Sequence, residues 1–239
     1  MAERWGAAAL TMALGVAATA LAYFGARWLQ RRSGWLLLNP TLVAIVVLIA
    51  LLRAGGVEYE RYHAGGRLIS FWLAPAVVAL GVPLYLQRAE IARRGRALLA
   101  SILAGSVVGI GSGTLVAAAL GASGEVVRSL APRAVTTPIA LGIAARVGGL
   151  PSLAAALVIA TGILGAVLGP AVLRRLRVRS RTAVGLALGA AAHGMGTARA
   201  AELGEVEAAA SGLAIGLMGV ATAVLAPLLL ALLTWLGWI

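Results

Sequence analysis

The chain is 239 residues long, 61% hydrophobic and only 12% charged, with a mean hydropathy of +0.97, a balance that excludes a soluble globular domain and marks an integral membrane protein. The formal net charge of +12 comes from arginine, since the sequence holds neither lysine nor aspartate. These arginines cluster beside apolar runs, as the positive-inside rule expects, which points away from nucleic acid.

A bilayer core about 30 Å thick takes about 20 apolar residues per crossing. On that measure the predicted spans fall near 6–28, 35–52, 68–87, 97–120, 151–173, 183–201 and 208–238. The first run leads into the second without a convincing signal-peptide cleavage site. Its exit carries Arg27, Arg31 and Arg32. The second run opens on Asn39 and Pro40, where an amide at the start of a span is placed to meet substrate or freed backbone groups.

Glu58, Glu60 and Arg61 follow in a balanced loop, and His63 beside them reads as solvated. The third run, "APAVVALGVPLY", carries Pro75 and Pro83, so its helix is expected to break around Gly81 to Pro83, next to Tyr85. Arg88, Arg93, Arg94 and Arg96 make a second basic junction after it.

Beyond the fourth run, Glu125 and Arg128 precede "RAVTTPIA". Two hydroxyls before a proline suit a helix N-terminus, with Thr136 ahead of it, Thr137 as cap and Pro138 at the first helical position; Arg133 stands where it attracts an anion or sits at the interface. Residues 135–149 are too short to cross and read as re-entrant or partly unwound, which is tolerated at membrane depth only inside protein or along a cavity.

The third basic junction runs from Arg174 to Arg181. All three junctions are expected on the cytoplasmic side, and the balanced loops, including Glu202, Glu205 and Glu207, outside. The sixth span then holds "AAAHGMGTARA". Here His193 and Arg199 are ionisable groups in or near a span, Gly194 and Gly196 loosen the helix, and Thr197 is a plausible cap.

A break of this kind turns half-helix N–H groups toward an anion. "NPTLVAIV" aligns with "LPSLAAALV", and 73–90 aligns with 188–205, each pair opposed in expected direction. This predicts an all-α polytopic protein with about seven spans, a re-entrant segment and two discontinuous helices in an inverted repeat. The expected divisions are 1–34, 35–134 and 135–239. The sequence has no cysteine and only two, widely separated histidines, so no metal site or thiol chemistry is expected. No Walker, G-x-S-x-G or H-E-x-x-H motif appears, and neither a cofactor nor an enzyme is expected.

Taken in order, "NPTLVAIVVLIALL", "ISFWLAPAVVALGVPLY", "RAVTTPIA", "VGGLPSLAAALVIATGILGAVLGP", "AHGMGTARA" and "SGLAIGL" resemble the signature blocks of the LrgB family, also called the CidB or YohK family, over about residues 35–230. The resemblance implies one of two roles. One is a secondary transporter of small hydroxy or oxo monocarboxylates, as for the plastid glycolate/glycerate translocator. The other is an antiholin-like regulator of murein hydrolase activity and lysis, working with a small LrgA- or CidA-type partner. It further implies a multi-pass plasma-membrane protein, a homo-oligomer with a dimer favoured, and site residues at Thr136, Thr137, Pro138, His193, Gly194, Gly196, Thr197 and Arg199. Ala192 stands where many relatives are expected to carry serine.

Overall fold

The computed structural model describes residues 2–238 apart from 36, 37, 73, 74, 76, 77, 80 and 87, with only the backbone described at 2–11, 81, 83, 84, 90, 91 and 94. The regular structure among the described residues is helical. The chain divides into two compact units, residues 1–76 and 77–239.

The first unit holds α1 (Ala2–Ser33), α2 (Pro40–Ala54) and α3 (Tyr59–Phe71), with α1 packed on the other two. Asn39 starts α2: its side-chain oxygen accepts the N–H groups of Thr41 at 3.0 Å and Leu42 at 3.3 Å, and Pro40 at the first helical position needs no partner. At 15 residues α2 is about 22 Å long, short of a full crossing. Gly15 on α1 backs onto Gly65, and the hydroxyls of Thr19 and Tyr62 meet at 2.8 Å, so α1 and α3 run antiparallel. Helix α3 begins well before the expected third span and closes on Trp72.

The second unit holds α4 (Gly81–Leu86), α5 (Arg88–Ala119), α6 (Gly124–Leu130), α7 (Thr137–Val147), α8 (Pro151–Arg175), α9 (Arg181–Leu203) and α10 (Glu205–Trp235). Segments long and apolar enough to cross a membrane are Gly95–Ala119, Pro151–Arg175 and Glu205–Trp235 here, and Met12–Ser33 in the first unit. Ile102 packs with Ala214 and Met218, and Ile110 with Ala226 and Leu230, so α5 and α10 run parallel.

Helix α9, expected to span, does not cross. The backbone at His193 (φ 41°, ψ −127°) breaks it into arms 181–192 and 194–203, each only about 15–18 Å long. The arms fold back on each other. A methyl on Gly196 would collide with the carbonyl of Leu188, and Gly204 lies against the Arg181 guanidinium. In a straight helix residues 181 and 204 would stand about 34 Å apart.

Both ends of α9 therefore share one end of the bundle, where α8 finishes and α10 begins. Arg181 fixes the arrangement with two bonds to Glu207, at 2.8 and 2.9 Å. This corrects the expected topology: Glu202, Glu205 and Glu207 lie at the same end as the Arg174–Arg181 junction, not opposite it. The start of α5, with Arg88, Arg93 and Arg96, is at that end too, because α5 runs parallel to α10.

A second turn-back enters from the other end. Helix α6 ends at the base of this turn-back, residues 131–136 form the tip, and the chain after α7 returns to the last turn of α6, where the Leu150 N–H donates to Ser129 Oγ at 2.8 Å. Helix α7 has 11 residues, about 16 Å, and ends on Gly148 in the left-handed conformation (φ 75°) that only glycine adopts cheaply. The predicted pairing of 73–90 with 188–205 falls in part on residues outside the described ones, and at Gly81 to Pro83, where a break is expected, the described backbone is helical as the first turn of α4.

Candidate functional site

The α9 hairpin is seated in a seam of small residues. On α8, Gly162, Gly165 and Gly169 lie on one face; a methyl added to them would stand 2.7 Å from the His193 ring, 2.6 Å from Ala192 Cβ and 2.7 Å from Leu188 Cδ2. On the hairpin itself, Gly185 and Gly189 meet the backbone carbonyls of Glu207 and Ser211 on α10. Such close approach lets backbones pack by dispersion where lipid supplies no hydrophobic drive. The seam carries His193 to the middle of α8. There the buried ring donates from Nε2 to the carbonyl of Val158 at 3.0 Å, so its proton sits on Nε2. Just beyond the break, Thr197 Oγ1 bonds back to the His193 carbonyl at 3.1 Å and to Ser211 Oγ at 2.7 Å.

The opposing tip reaches the same level. Ala131 and Val135 pack in one cluster with Val158, whose carbonyl His193 holds. Two turn-backs from opposite ends thus meet at one residue of α8, the geometry in which irregular backbone is tolerated at membrane depth.

Beside them lies a cavity of about 530 Å³. Its walls are α5, the first arm of α9, Thr161 of α8 and the tip residues Arg133 and Ala134. The polar lining groups are Ser101, Thr161 and Arg133, against walls of the type of Ile102, Leu186 and Ala190. Arg133 lies flat on α5 over Gly113, where a methyl would occupy the place of Nη1; its Nη2 donates to Ser112 Oγ at 2.9 Å. Nη1 is buried with no hydrogen-bond partner. Arg133 sits in the 131–136 connection, outside the spanning helices, and burial lowers its pKa from the usual arginine value with no carboxylate offsetting it. A half-buried guanidinium with an unpaired donor suits an anion.

A sequence profile of the LrgB-like family matches residues 19–232. The chain belongs to the LrgB family. It is 36% identical over 223 residues to the antiholin-like protein LrgB of Bacillus mycoides (strain KBAB4), covering 93% of this chain and 97% of the relative. The antiholin-like proteins LrgB of Bacillus cereus (strain B4264) and Bacillus anthracis (strain CDC 684 / NRRL 3495) match with the same identity and coverage. No solved structure matches.

In this LrgB-family chain the blocks "RAVTTPIA" and "AHGMGTARA" fall on the tips of the two turn-backs. Within the first block, Thr136 takes the N-cap position and Thr137 the first helical one, a residue earlier than expected, with Pro138 next. The Thr136 hydroxyl makes no cap bond and is buried without a partner. Within the second, Gly194 faces open space and Gly196 the Leu188 carbonyl. Thr197 is no cap, since its hydroxyl is taken by His193 and Ser211.

Arg199 pairs with Glu202 one turn on, its Nε buried without a partner. Asn39 caps α2 in the first unit. Gly81, Pro83 and Tyr85 lie in α4, where the exposed Tyr85 ring carries the Arg88 guanidinium 4.4 Å from its centroid. Sequence reasoning missed Ser101 and Thr161 and gave Arg133 no more than a choice between anion and interface. Only Thr161 had a local signal, a hydroxyl immediately before the Gly162–Gly165–Gly169 stripe.

Proposed function

We propose that this LrgB-family protein is a plasma-membrane secondary transporter of small hydroxy or oxo monocarboxylates, of the glycolate, glycerate, pyruvate or lactate type. The observation that carries the reading is the cavity beside two opposed turn-backs, with one unpaired guanidinium nitrogen at Arg133. In this reading Arg133 takes the carboxylate, Thr161 meets the 2-hydroxy or 2-oxo group, and relative movement of one helix bundle against another changes access. The arginines at one end of the second unit raise the local concentration of anions at that mouth. Two of the sequence-derived candidates hold a tip instead: His193 bonds to α8, and Thr197 to α10. Homo-oligomerisation, with a dimer favoured, would supply a static frame.

A second reading is favoured by the names of the relatives, which are antiholin-like and specify no substrate. It makes the chain a membrane regulator of murein hydrolase activity and lysis, acting with a small LrgA- or CidA-type partner. Counterflow of labelled pyruvate and glycolate in proteoliposomes separates the two. Transport predicts saturable exchange. Arg133→Gln should raise the half-saturating concentration about 10- to 100-fold, the worth of a hydrogen bond to a charged group. Gly113→Ala, which displaces the guanidinium without removing it, should do the same in milder form. Unselective leakage, or saturable exchange indifferent to both substitutions, would sink the site.

A further inference from the structure

The cavity is far larger than the acids named above. A water occupies about 30 Å³ of liquid, so a two- or three-carbon acid, a few waters in size, leaves most of about 530 Å³ unfilled. That volume lies within the range of about 300–1,000 Å³ that holds ligands of drug size. The polar groups are few and the rest of the lining is aliphatic: Ile102 and Val108 on α5, and Leu186, Ala187 and Ala190 on α9. Neither lysine nor a carboxylate lines it. Such a site gains little from a ligand polar at both ends. An apolar wall that faces water gains by being covered.

Resting on the transport reading, we propose that the cavity prefers 2-oxo or 2-hydroxy monocarboxylates bearing an apolar, branched side chain, about five to six carbons in all, over pyruvate and glycolate. Arg133 binds the carboxylate, and Ala187 and Ala190 make room for the tail. Ala190 is the specificity-determining position, because a larger side chain there enters the cavity from the arm that forms its wall.

The chemistry required, an anionic head on an apolar tail, is shared by free short acids and by fatty acids of the bilayer. Free acids are the ligands proposed, and the long-chain acid in the series below tests the bilayer source. The test is competition against labelled pyruvate in proteoliposomes of the full chain, with a series of pyruvate, 2-oxobutyrate, 3-methyl-2-oxobutanoate, 4-methyl-2-oxopentanoate and hexadecanoate.

The expected result is an inhibitory concentration that falls about fourfold per added carbon up to the six-carbon acid, the worth of one buried methylene, and rises again at hexadecanoate. Ala190→Leu should shrink the ratio of six-carbon to three-carbon affinity about tenfold or more; if that variant does not fold, the series on the unaltered protein still decides. Saturable pyruvate exchange with a flat series overturns the tail preference and leaves the transport reading standing. Saturable exchange with affinity rising through hexadecanoate also overturns it, in favour of a bilayer amphiphile. No saturable exchange with any acid overturns both.

Discussion

At His193 the backbone adopts φ 41°, ψ −127°, a combination that residues other than glycine adopt only at a cost of about 1–3 kcal/mol. The compensation is visible: Nε2 donates to Val158, the ring fills the notch over Gly162, and the carbonyl is held by Thr197. The sequence predicts flexibility at Gly194 and Gly196, yet the strained residue is the histidine between Ala192 and Gly194. Position-specific strain leaves no mark in composition, which is why the break was legible and its residue was not. The expected consequence is an inverted order of substitutions. His193→Ala loses the hydrogen bond and keeps the strain, whereas His193→Gly loses the bond and relieves it, so the glycine variant should unfold later than the alanine variant in detergent. Helix propensity alone gives the opposite order, by about 1 kcal/mol.

At the scale of elements, what holds the hairpin is contact between small residues. In the sequence, "ATGILGAVLGP" and "VGLALGAAAHGMG" read as apolar helix with glycine scattered through it. That glycine recurs on single faces was open to reading there, although the expected fold made no use of it. Which helix each face meets was not, because a span and a folded-back hairpin share the same 3.6-residue pattern. Two glycines of α9 separate packing from propensity. Gly189→Ala drives a methyl into the Ser211 carbonyl and should destabilise by about 1–3 kcal/mol. Gly194→Ala meets open space and should be neutral or stabilising by up to about 1 kcal/mol. Thermal unfolding of the two purified variants checks the contrast; equal shifts would remove the seam from the account.

At the scale of the whole molecule, membrane residence and the helical class were legible at once from hydropathy, and the LrgB family from ordered blocks. The expected placement of the second and third basic junctions together agrees with the parallel course of α5 and α10. The sixth span was misread for a physical reason: hydropathy measures how apolar a segment is, and an arm of about 18 Å that enters and returns is as apolar as one that crosses. The acidic run after it then inherited the wrong side. Nor was the cavity legible, since Arg133, Thr161 and Ala190 are far apart in sequence and only the turn-backs bring them together.

The same geometry decides the topology experiment. Because the natural chain has no cysteine, single cysteines can be placed without background. Exposed positions Arg177, Ala201 and Ser152 are suitable, replaced one at a time and probed with a membrane-impermeant maleimide in sealed vesicles of known orientation. The folded-back α9 predicts that Arg177→Cys and Ala201→Cys label from the same side, and Ser152→Cys from the other. Labelling of Ala201→Cys together with Ser152→Cys, opposite Arg177→Cys, would make α9 a crossing helix and contradict the site built on its tip.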